Sequence, residues 1–316
     1  MGVARFSSEV EQAVGLPRVS LDHLTGAALG TCKLIKELGR GSMGVVFLGY
    51  QTTLKRPVAV KVLPKDLIVD PIASLRFRQE AETAAILTHP NIVPIYEVGE
   101  TENLYFMVMQ LVRGVSLGRM MERVRKHPIP SKRLFPLAVG IGILLQVLDA
   151  LAYAHDEEVV HRDIKPANIL LESKTRRVLI SDFGIARELR GEDLDQGRAL
   201  GTPLYMAPEQ ASGQAVDGRA DIYAVGVILF EMAVPALPLY PEPVEKLRKR
   251  KISEPLGMFC KRPSECHPRV DEELEGIILK AISLRPEDRF QSCSEFAAAL
   301  KAYASKRFRD RDGAWS

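Results

Sequence analysis

The pattern of hydrophobic residues changes once along this chain, near Gly114, and that change limits what the chain can fold into. Before this point, short runs rich in β-branched residues alternate with Gly-rich and polar turns, which is typical of antiparallel strands. One helical pattern interrupts them at residues 71–87. After Gly114 the periodicity is helical, including residues 134–155, 221–233, 271–284 and 293–304. The sequence therefore predicts an α+β protein with a small β-rich lobe and a larger, mainly helical lobe.

We place the small lobe at residues 30–112 and the helical lobe at residues 113–304. Residues 1–29 have weak periodicity and scattered glycines, so we expect an N-terminal tail that is either docked or mobile. Residues 305–316 form a C-terminal tail in this division.

The overall charge argues against a polyanionic partner. The 316 residues hold 43 Lys+Arg and 40 Asp+Glu, a formal charge of +3, so no nucleic-acid partner is expected. Hydrophobic residues make up 46% of the chain and charged residues 26%, which are globular proportions that exclude wholesale disorder.

The most apolar stretch, residues 134–154, raises the question of a membrane span. It contains Pro136, Gln146 and Asp149 and has no basic flank that would set an orientation, so a buried core helix is favoured. We expect no membrane segment in this chain.

Cysteine usage predicts free thiols rather than a metal site. The four cysteines include no CxxC pair, whereas a structural zinc site needs four converging ligands. The N-terminus lacks the apolar run of a secretory signal. We therefore expect a cytoplasmic location.

A glycine-rich loop lies between the first two strand patterns. Residues 39–46 read GRGSMGVV, and three such glycines also occur in ordinary turns and in dinucleotide-binding loops. The dinucleotide interpretation requires a helix after the loop, and a strand follows here. Backbone N–H groups that no side chain shields can donate to phosphate oxygens, so this loop can lie over a chain of phosphates.

Lys61 occupies an apolar strand pattern, Val58-Ala59-Val60-Lys61. Burying an unpaired lysine is costly, so Lys61 either reaches the surface or meets an anion. The helical segment that follows offers Glu80 and Glu82, which diverge by about 200° around a helix, so only one of them can face Lys61.

Two polar clusters follow apolar elements in the second half of the chain. Residues 161–168 read HRDIKPAN, and loops between rigid elements often carry chemistry. There, Asp163 could accept a proton from a hydroxyl, Lys165 could neutralise a phosphoryl group, and Asn168 could bind a metal. Asp182 ends an apolar strand and suits Mg²⁺.

These motifs, together with Ala207-Pro208-Glu209, occur in the order and spacing of the protein kinase catalytic domain, which the chain resembles over residues 32–304. Residues 76–100, 201–210 and 219–232 resemble the bacterial eukaryotic-like serine/threonine kinases. The lysine two positions after Asp163 favours Ser and Thr acceptors over Tyr.

The resemblance implies a bilobal kinase-like fold, ATP and Mg²⁺ (or Mn²⁺) as cofactors, and protein substrates with Ser or Thr acceptors. It implies that Asp163 is the catalytic base and that Lys61 holds the α- and β-phosphates with Glu80, rather than Glu82, as its ion-pair partner. The metal ligands that it implies are Asn168 and Asp182. The nucleotide-binding residues that it implies are Leu38, Gly39, Gly41, Ser42, Gly44, Val46, Ala59, Lys61, Met109, Gln110, Val112 and Leu170.

Within that set, Met109 is implied as the gatekeeper, and the backbone of residues 110–112 is implied to read the edge of adenine. Glu209 and Arg289 match a buried ion pair, and Asp221 matches an aspartate that braces the catalytic loop. Gln110 and Arg113 replace acids near the hinge, which leaves the ribose contact open, with Ser116 as a weak substitute.

The segment at residues 185–200 departs from the family pattern because it contains no Ser, Thr or Tyr. Relatives that are switched by phosphorylation carry an acceptor there. Glu192, Asp193 and Asp195 supply fixed negative charge instead, and Arg162 is available to receive one of them. The loop is either ordered without phosphorylation, which we favour, or solvated without contact to Arg162.

A second departure is the basic run at residues 246–251, which we interpret as a solvated helix face rather than a docking site for an acidic partner.

Three functions are compatible with the motifs. An active serine/threonine kinase is favoured over a nucleotide-binding pseudokinase scaffold because Lys61, Asp163, Asn168 and Asp182 are all present. A small-molecule phosphotransferase is disfavoured by the Ala-Pro-Glu segment at 207–209. Dimerisation through the small lobe is left open.

Overall fold

The computed structural model describes residues 21–41, 44–65, 84–183 and 204–308. In the small lobe, one antiparallel sheet has the strand order β1-β2-β3-β4-β6-β5. Its strands are β1 (Ala28–Leu29), β2 (Cys32–Gly41), β3 (Gly44–Gln51), β4 (Arg56–Pro64), β5 (Ile95–Glu100) and β6 (Leu104–Gln110).

Strand β4 shows how the sheet divides its two faces. Side chains alternate along a strand, so Val58, Val60 and Val62 face one side and are fully buried there. Ala59 and Lys61 face the other side, toward the large lobe, and Ala59 joins the main core. The alternation therefore places Lys61 on the inner face of the sheet.

The outer face of this sheet is covered by residues 21–29. Leu21, Leu24 and Leu29 are buried against Phe47 and the β4 valines in a second core. Residues 21–29 are therefore docked on the small lobe, which is one of the two alternatives expected for the N-terminal tail. The apolar outer face needs a cover, which the weak periodicity of so short a segment did not reveal.

The large lobe is mainly helical. Its elements are β7 (Gly114–Ser116), α1 (Leu117–Arg125), α2 (Leu137–Asp156), β8 (Ile169–Glu172), β9 (Val178–Ile180), α3 (Pro208–Ala211), α4 (Arg219–Ala233), α5 (Val244–Ser253), α6 (Pro263–Cys266), α7 (Glu272–Ala281) and α8 (Cys293–Arg307). The four helices predicted after Gly114 are all present. Of the helix predicted at 71–87, residues 71–83 lie outside the described residues, and residues 84–86 are helical.

Helices α2 and α4 form the centre of the large lobe. Every residue of α4 from Ala220 to Ala233 is buried, as expected of a helix that is apolar all round. Within the described ranges, α2 lies in the one helical stretch long and apolar enough to cross a membrane. Its Leu144, Val147 and Leu148 are fully buried, however, and it packs against α4 and α8, which is the arrangement of a core helix.

We expect Leu29→Ala to lower the free energy of unfolding of the small lobe by about 2–5 kcal/mol, because it removes buried methyl groups and leaves a cavity under the sheet. Thermal and urea denaturation measure this change. Leu54→Ala is the matched control, since Leu54 is 63% exposed, and its effect should stay below about 0.5 kcal/mol. Equal effects of the two substitutions would contradict the assignment of residues 21–29 to the core.

Candidate active site

The loop that follows α2 is fixed by its own histidine. The backbone N–H of Asp163 donates to the carbonyl of His161 at 2.9 Å and to its Nδ1 at 3.2 Å. With Nδ1 acting as an acceptor, Nε2 carries the proton and donates to the carbonyl of Ser181 at 3.0 Å. His161 is fully buried and therefore ties this loop to the end of β9.

Asp163, Lys165 and Asn168 converge at the surface of the loop. Lys165 Nζ donates to Asp163 Oδ2 at 2.7 Å, and Asn168 Nδ2 donates to the same oxygen at 3.1 Å and to the Asp163 carbonyl at 2.9 Å. The side chains of Asp163 and Lys165 are 41% and 40% exposed, so they open onto the cleft. The amide oxygen of Asn168 takes no part in these contacts.

Asp182 follows β9 in a strained conformation. Its φ is 63°, the left-handed region that costs a non-glycine residue about 1–2 kcal/mol. Phe183 is buried, and its ring centroid lies 4.5 Å from that of His161. This packing holds the Asp182 carboxylate toward β4 and Lys61.

Lys61 forms an ion pair with Asp182 across the two lobes. Burial acts to raise the pKa of the Asp182 carboxyl, but the charge and hydrogen bond of Lys61 outweigh burial, so the pKa is lowered from its ordinary value. Of the two alternatives for Lys61, a surface position or an anionic partner, the structure shows an anionic partner, and that partner is Asp182. The predicted partner Glu80 and its rival Glu82 lie outside the described residues, so that pairing stays a prediction.

The residues predicted to contact adenine lie near the junction of the lobes. In the sheet register Ala59 is opposite Met109, and Val46 is opposite Lys61. Leu170, on β8, joins the same cluster as a half-buried side chain, whereas Leu38 is 42% exposed.

The backbone N–H groups after Met109 differ in whether a protein carbonyl already accepts from them. The N–H of Gln110 donates to the carbonyl of Pro94 at 3.0 Å and is not available to a ligand. Among the described residues, the N–H of Val112 has no protein acceptor. Ser116 Oγ caps α1 by accepting from the N–H of Arg119 at 3.3 Å. Ser116, the weak candidate for the ribose contact, therefore already has a structural role.

Two glycines of the 39–46 loop differ in what a side chain at their position would meet. A Cβ on Gly44 would lie 2.2 Å from the carbonyl oxygen of Val62, so the sheet itself requires that glycine. A Cβ on Gly39 would meet nothing within 4 Å, so the described fold does not require a glycine there. Gly41 ends β2, and Ser42 lies outside the described residues.

Asp221, in the first turn of α4, holds the loop from below. Its carboxylate accepts from the backbone N–H groups of His161 at 2.9 Å and Arg162 at 2.8 Å, and from His155 Nε2 at 2.8 Å. The other nitrogen of His155 lies 3.6 Å from the buried Sγ of Cys293. Asp221 is 1% exposed, and its predicted bracing contact is confirmed.

The predicted ion pair between Glu209 and Arg289 is also confirmed. The two terminal guanidinium nitrogens of Arg289 donate to the Glu209 carboxylate, each at 2.7 Å, and both residues are buried. This bidentate contact fixes α3 to the segment before α8.

The interpretation of residues 246–251 as a solvated helix face is wrong at Lys251. Lys246 and Lys249 are exposed, but Lys251 is fully buried and donates to the carbonyls of Leu204 and Met206. Burial lowers the pKa of Lys251 well below its ordinary value, and the nearby Arg289 cation adds to this effect. A run of basic residues cannot by itself show which cation faces inward.

Sequence reasoning also missed a contact of Tyr205. Its hydroxyl donates to Glu231 Oε2 at 2.5 Å, and Arg125 pairs with the other oxygen of that carboxylate at 2.7 Å. Burial, and then the Glu231 charge, raise the pKa of Tyr205. The three residues come from segments far apart in sequence, so no local pattern indicated the contact.

Comparison with known proteins places this geometry in a family. Residues 32–301 match the family described as "Protein kinase domain". The chain is 36% identical over 296 residues to the serine/threonine-protein kinase Pkn1 of Myxococcus xanthus, covering 91% of this chain and 40% of that protein. It is 39% identical over 271 residues to the serine/threonine-protein kinase PknB of Mycolicibacterium smegmatis, covering 83% and 41%.

A solved structure has the same fold. The Mycobacterium tuberculosis PknI kinase domain superposes with a TM-score of 0.70 at 30% identity, covering 88% of this chain and 98% of that one. The chain spans about 40% of the length of the curated relatives it matches.

We expect Asp221→Asn to destabilise the loop at residues 161–168, because an amide keeps one acceptor but turns a donor toward a backbone N–H. Loss of a hydrogen bond to a charged group and exposure of an unpaired donor should lower the free energy of unfolding by about 1–3 kcal/mol. Thermal denaturation measures this change, and Asp217→Asn, at a surface pair with Arg219, is the control. A smaller effect for Asp221→Asn than for the control would refute the bracing role.

Proposed function

The chain belongs to the protein kinase domain family, and from that premise we propose that it is a serine/threonine protein kinase that transfers the γ-phosphoryl group of ATP to Ser and Thr hydroxyls of proteins. Members of this family use ATP and a divalent cation. The observation that carries the proposal is that Ser181 joins the loop at residues 161–168, which carries Asp163 and Asn168, to Asp182. Its carbonyl accepts from His161, and its N–H donates to the carbonyl of Asn168 at 2.9 Å, directly before Asp182.

We assign Asn168 and Asp182 as the ligands of the divalent cation, with Mg²⁺ as the natural ion and Mn²⁺ as a substitute. An amide oxygen and a carboxylate are the hard ligands that Mg²⁺ prefers. Asn168 donates its amide hydrogens to Asp163, which leaves its amide oxygen for a cation. When bound, the cation neutralises charge on the phosphates.

Asp163 is assigned as the base that accepts the proton of the substrate hydroxyl. One of its carboxylate oxygens is held by Lys165 and Asn168, so the carboxylate has a fixed orientation, and its second oxygen accepts no hydrogen bond from the described residues. Fixed orientation is what a general base needs in order to act on a bound hydroxyl. Lys165 contributes positive charge beside the acceptor.

Lys61 and the small lobe are assigned to nucleotide binding. In the structure the Lys61 ammonium is held by Asp182, and we expect it to contact the α- and β-phosphates when ATP is present. Gly39 supports this assignment because the fold leaves open space where its side chain would lie. The N–H of Val112, for which the described part of the chain offers no acceptor, is the donor that we assign to the edge of adenine.

We also propose that this kinase unit acts in the cytoplasm. All four cysteines are free thiols, and ATP is a cytoplasmic substrate. No observation favours the pseudokinase alternative, since the side chains of Lys61, Asp163, Asn168 and Asp182 are all present.

We expect Lys61→Ala and Asp182→Ala to reduce autophosphorylation to background, because each removes a charge that positions the phosphates or the cation. Labelled ATP with Mg²⁺ measures the transfer, and circular dichroism should show that both variants stay folded. Lys65→Ala is a matched control at the residue after β4, where Lys65 pairs with Glu100 at 3.0 Å and not with Asp182, and it should stay within about two-fold of wild type. Wild-type activity in either cleft variant would sink the assignment.

The acidic segment at residues 185–200, with Glu192, Asp193 and Asp195, lies outside the described residues, so its order and its contact with Arg162 stay predictions. We expect protein made free of phosphate to be active and Thr202→Val to change its rate by less than about two-fold, because fixed carboxylates replace the phosphate charge. Steady-state phosphotransfer with mapping of phosphosites by mass spectrometry tests this. Low activity that rises sharply once Thr202 is phosphorylated would show that the segment needs phosphorylation.

A further inference from the structure

A buried lysine holds the chain just before α3. Lys251 projects from α5, is 0% exposed, and donates to the carbonyl of Leu204 at 2.9 Å and to that of Met206. Its ammonium also lies 4.7 Å from the centroid of the Tyr223 ring. Both hydrogen bonds that its ammonium makes to the described residues therefore go to one short stretch of backbone, which we call the 204–206 segment.

This arrangement is a poor way to gain stability. Moving an ammonium out of water is costly, and a buried charge can often be replaced by an apolar side chain of similar volume without loss of stability. Burial is the largest cause of the lowered pKa of Lys251; the nearby Arg289 cation adds to it, and the carboxylate of Glu209, the ion-pair partner of Arg289, opposes it. Lys246 and Lys249 on the same helix stay exposed, so nothing in the helix forces a lysine inward. Positioning of the backbone explains the contact better than stability does.

The same segment is held from a second direction. Between the two carbonyls that Lys251 binds, the Tyr205 hydroxyl donates to Glu231 at the end of α4, and Glu231 pairs with Arg125 of α1. Three consecutive residues are thus fixed by side chains from separate helices. A segment held in this way has little freedom to change its backbone conformation.

The 204–206 segment is joined directly to the loop that carries Asp163. The N–H of Ala207, the next residue, donates to Gln210 Oε1 at 2.9 Å, and Gln210 Nε2 donates to the carbonyl of Arg162 at 3.0 Å. Arg162 precedes Asp163. Two hydrogen bonds through the Gln210 side chain therefore connect the end of this segment to the residue next to the proposed base.

We propose that Lys251 is a positioning residue for the protein substrate: by holding the carbonyls of Leu204 and Met206, it orders the 204–206 segment as the surface against which the polypeptide next to the acceptor hydroxyl lies. The inference rests on the proposed kinase function and adds a residue to it. Lys251 acts through the backbone it binds and does not touch ATP.

The test compares Lys251→Met, which keeps the length of the side chain but removes the ammonium, with Lys249→Met, which removes the same charge from the exposed face of α5. Casein is the protein substrate, and hydrolysis of ATP without casein measures turnover with water as the acceptor. We expect Lys251→Met to raise the KM for casein about ten-fold. The KM for ATP and the ATPase rate should each change by no more than about two-fold. Lys249→Met should match wild type, and Lys251→Arg should restore part of the loss.

Hydrogen–deuterium exchange supplies a readout that needs no activity. We expect amides of residues 204–212 to exchange faster in Lys251→Met than in Lys249→Met, while peptides from β8 and β9 stay unchanged. The proposal is overturned if exchange in 204–212 is the same in both variants, or if casein transfer and ATP hydrolysis fall in proportion with an unchanged KM for casein. If wild-type protein transfers no phosphoryl group to casein, the proposed function fails, and the exchange data alone decide whether Lys251 orders the segment.

Discussion

The arrangement of the large lobe depends on one buried carboxylate, that of Asp221 in the first turn of α4. An isolated ionised group in the interior would be very costly, so it must have partners, and those partners are the backbone N–H groups of His161 and Arg162. Because the acceptor is fixed to a helix that is buried throughout, the loop it holds inherits the rigidity of the core. The nearby helix N-terminus favours this negative charge as well. Geometry at Asp163 therefore originates in the packing of α4.

Helix α4 also organises the other charged contacts of the lobe. Tyr223, one turn from its start, presents its ring to Lys251 and to Arg289, whose guanidinium carbon lies 5.0 Å from the ring centroid. Glu231, at the end of the helix, binds Tyr205. The ion pair of Arg289 with Glu209 completes a set of buried ions around the chain at 204–210. Such groups contribute more to a unique arrangement than to net stability, because desolvation offsets much of their attraction.

Sequence reasoning succeeded where chemistry was local and failed where burial decided the outcome. The strand alternation around Lys61 left either a surface position or an anionic partner. Its described partner, Asp182, is 121 positions away, and no local pattern could select it. The burial of Lys251 was missed because five of the six residues at 246–251 are basic, and their sequence does not show which side chain faces the core. Residues 21–29 looked like a tail because their three leucines show no clear period. Their role, which is to cover the apolar outer face of the sheet, is visible only in the structure. The helices α2 and α4 were predictable because each is a long, mostly apolar run with few polar residues.

The cover over the outer face of the sheet links the order of synthesis to the order of folding. Residues 21–29 are made before any strand they pack against, and the sheet they cover is complete only when β6 ends at Gln110. Their contacts are of two kinds. Ala28 and Leu29 pair with Lys33 and Cys32, only a few residues away, whereas the core that Leu21, Leu24 and Leu29 share with Phe106 of β6 closes a long loop, whose entropy must be offset. The core under this segment therefore stays incomplete until β6 has been made.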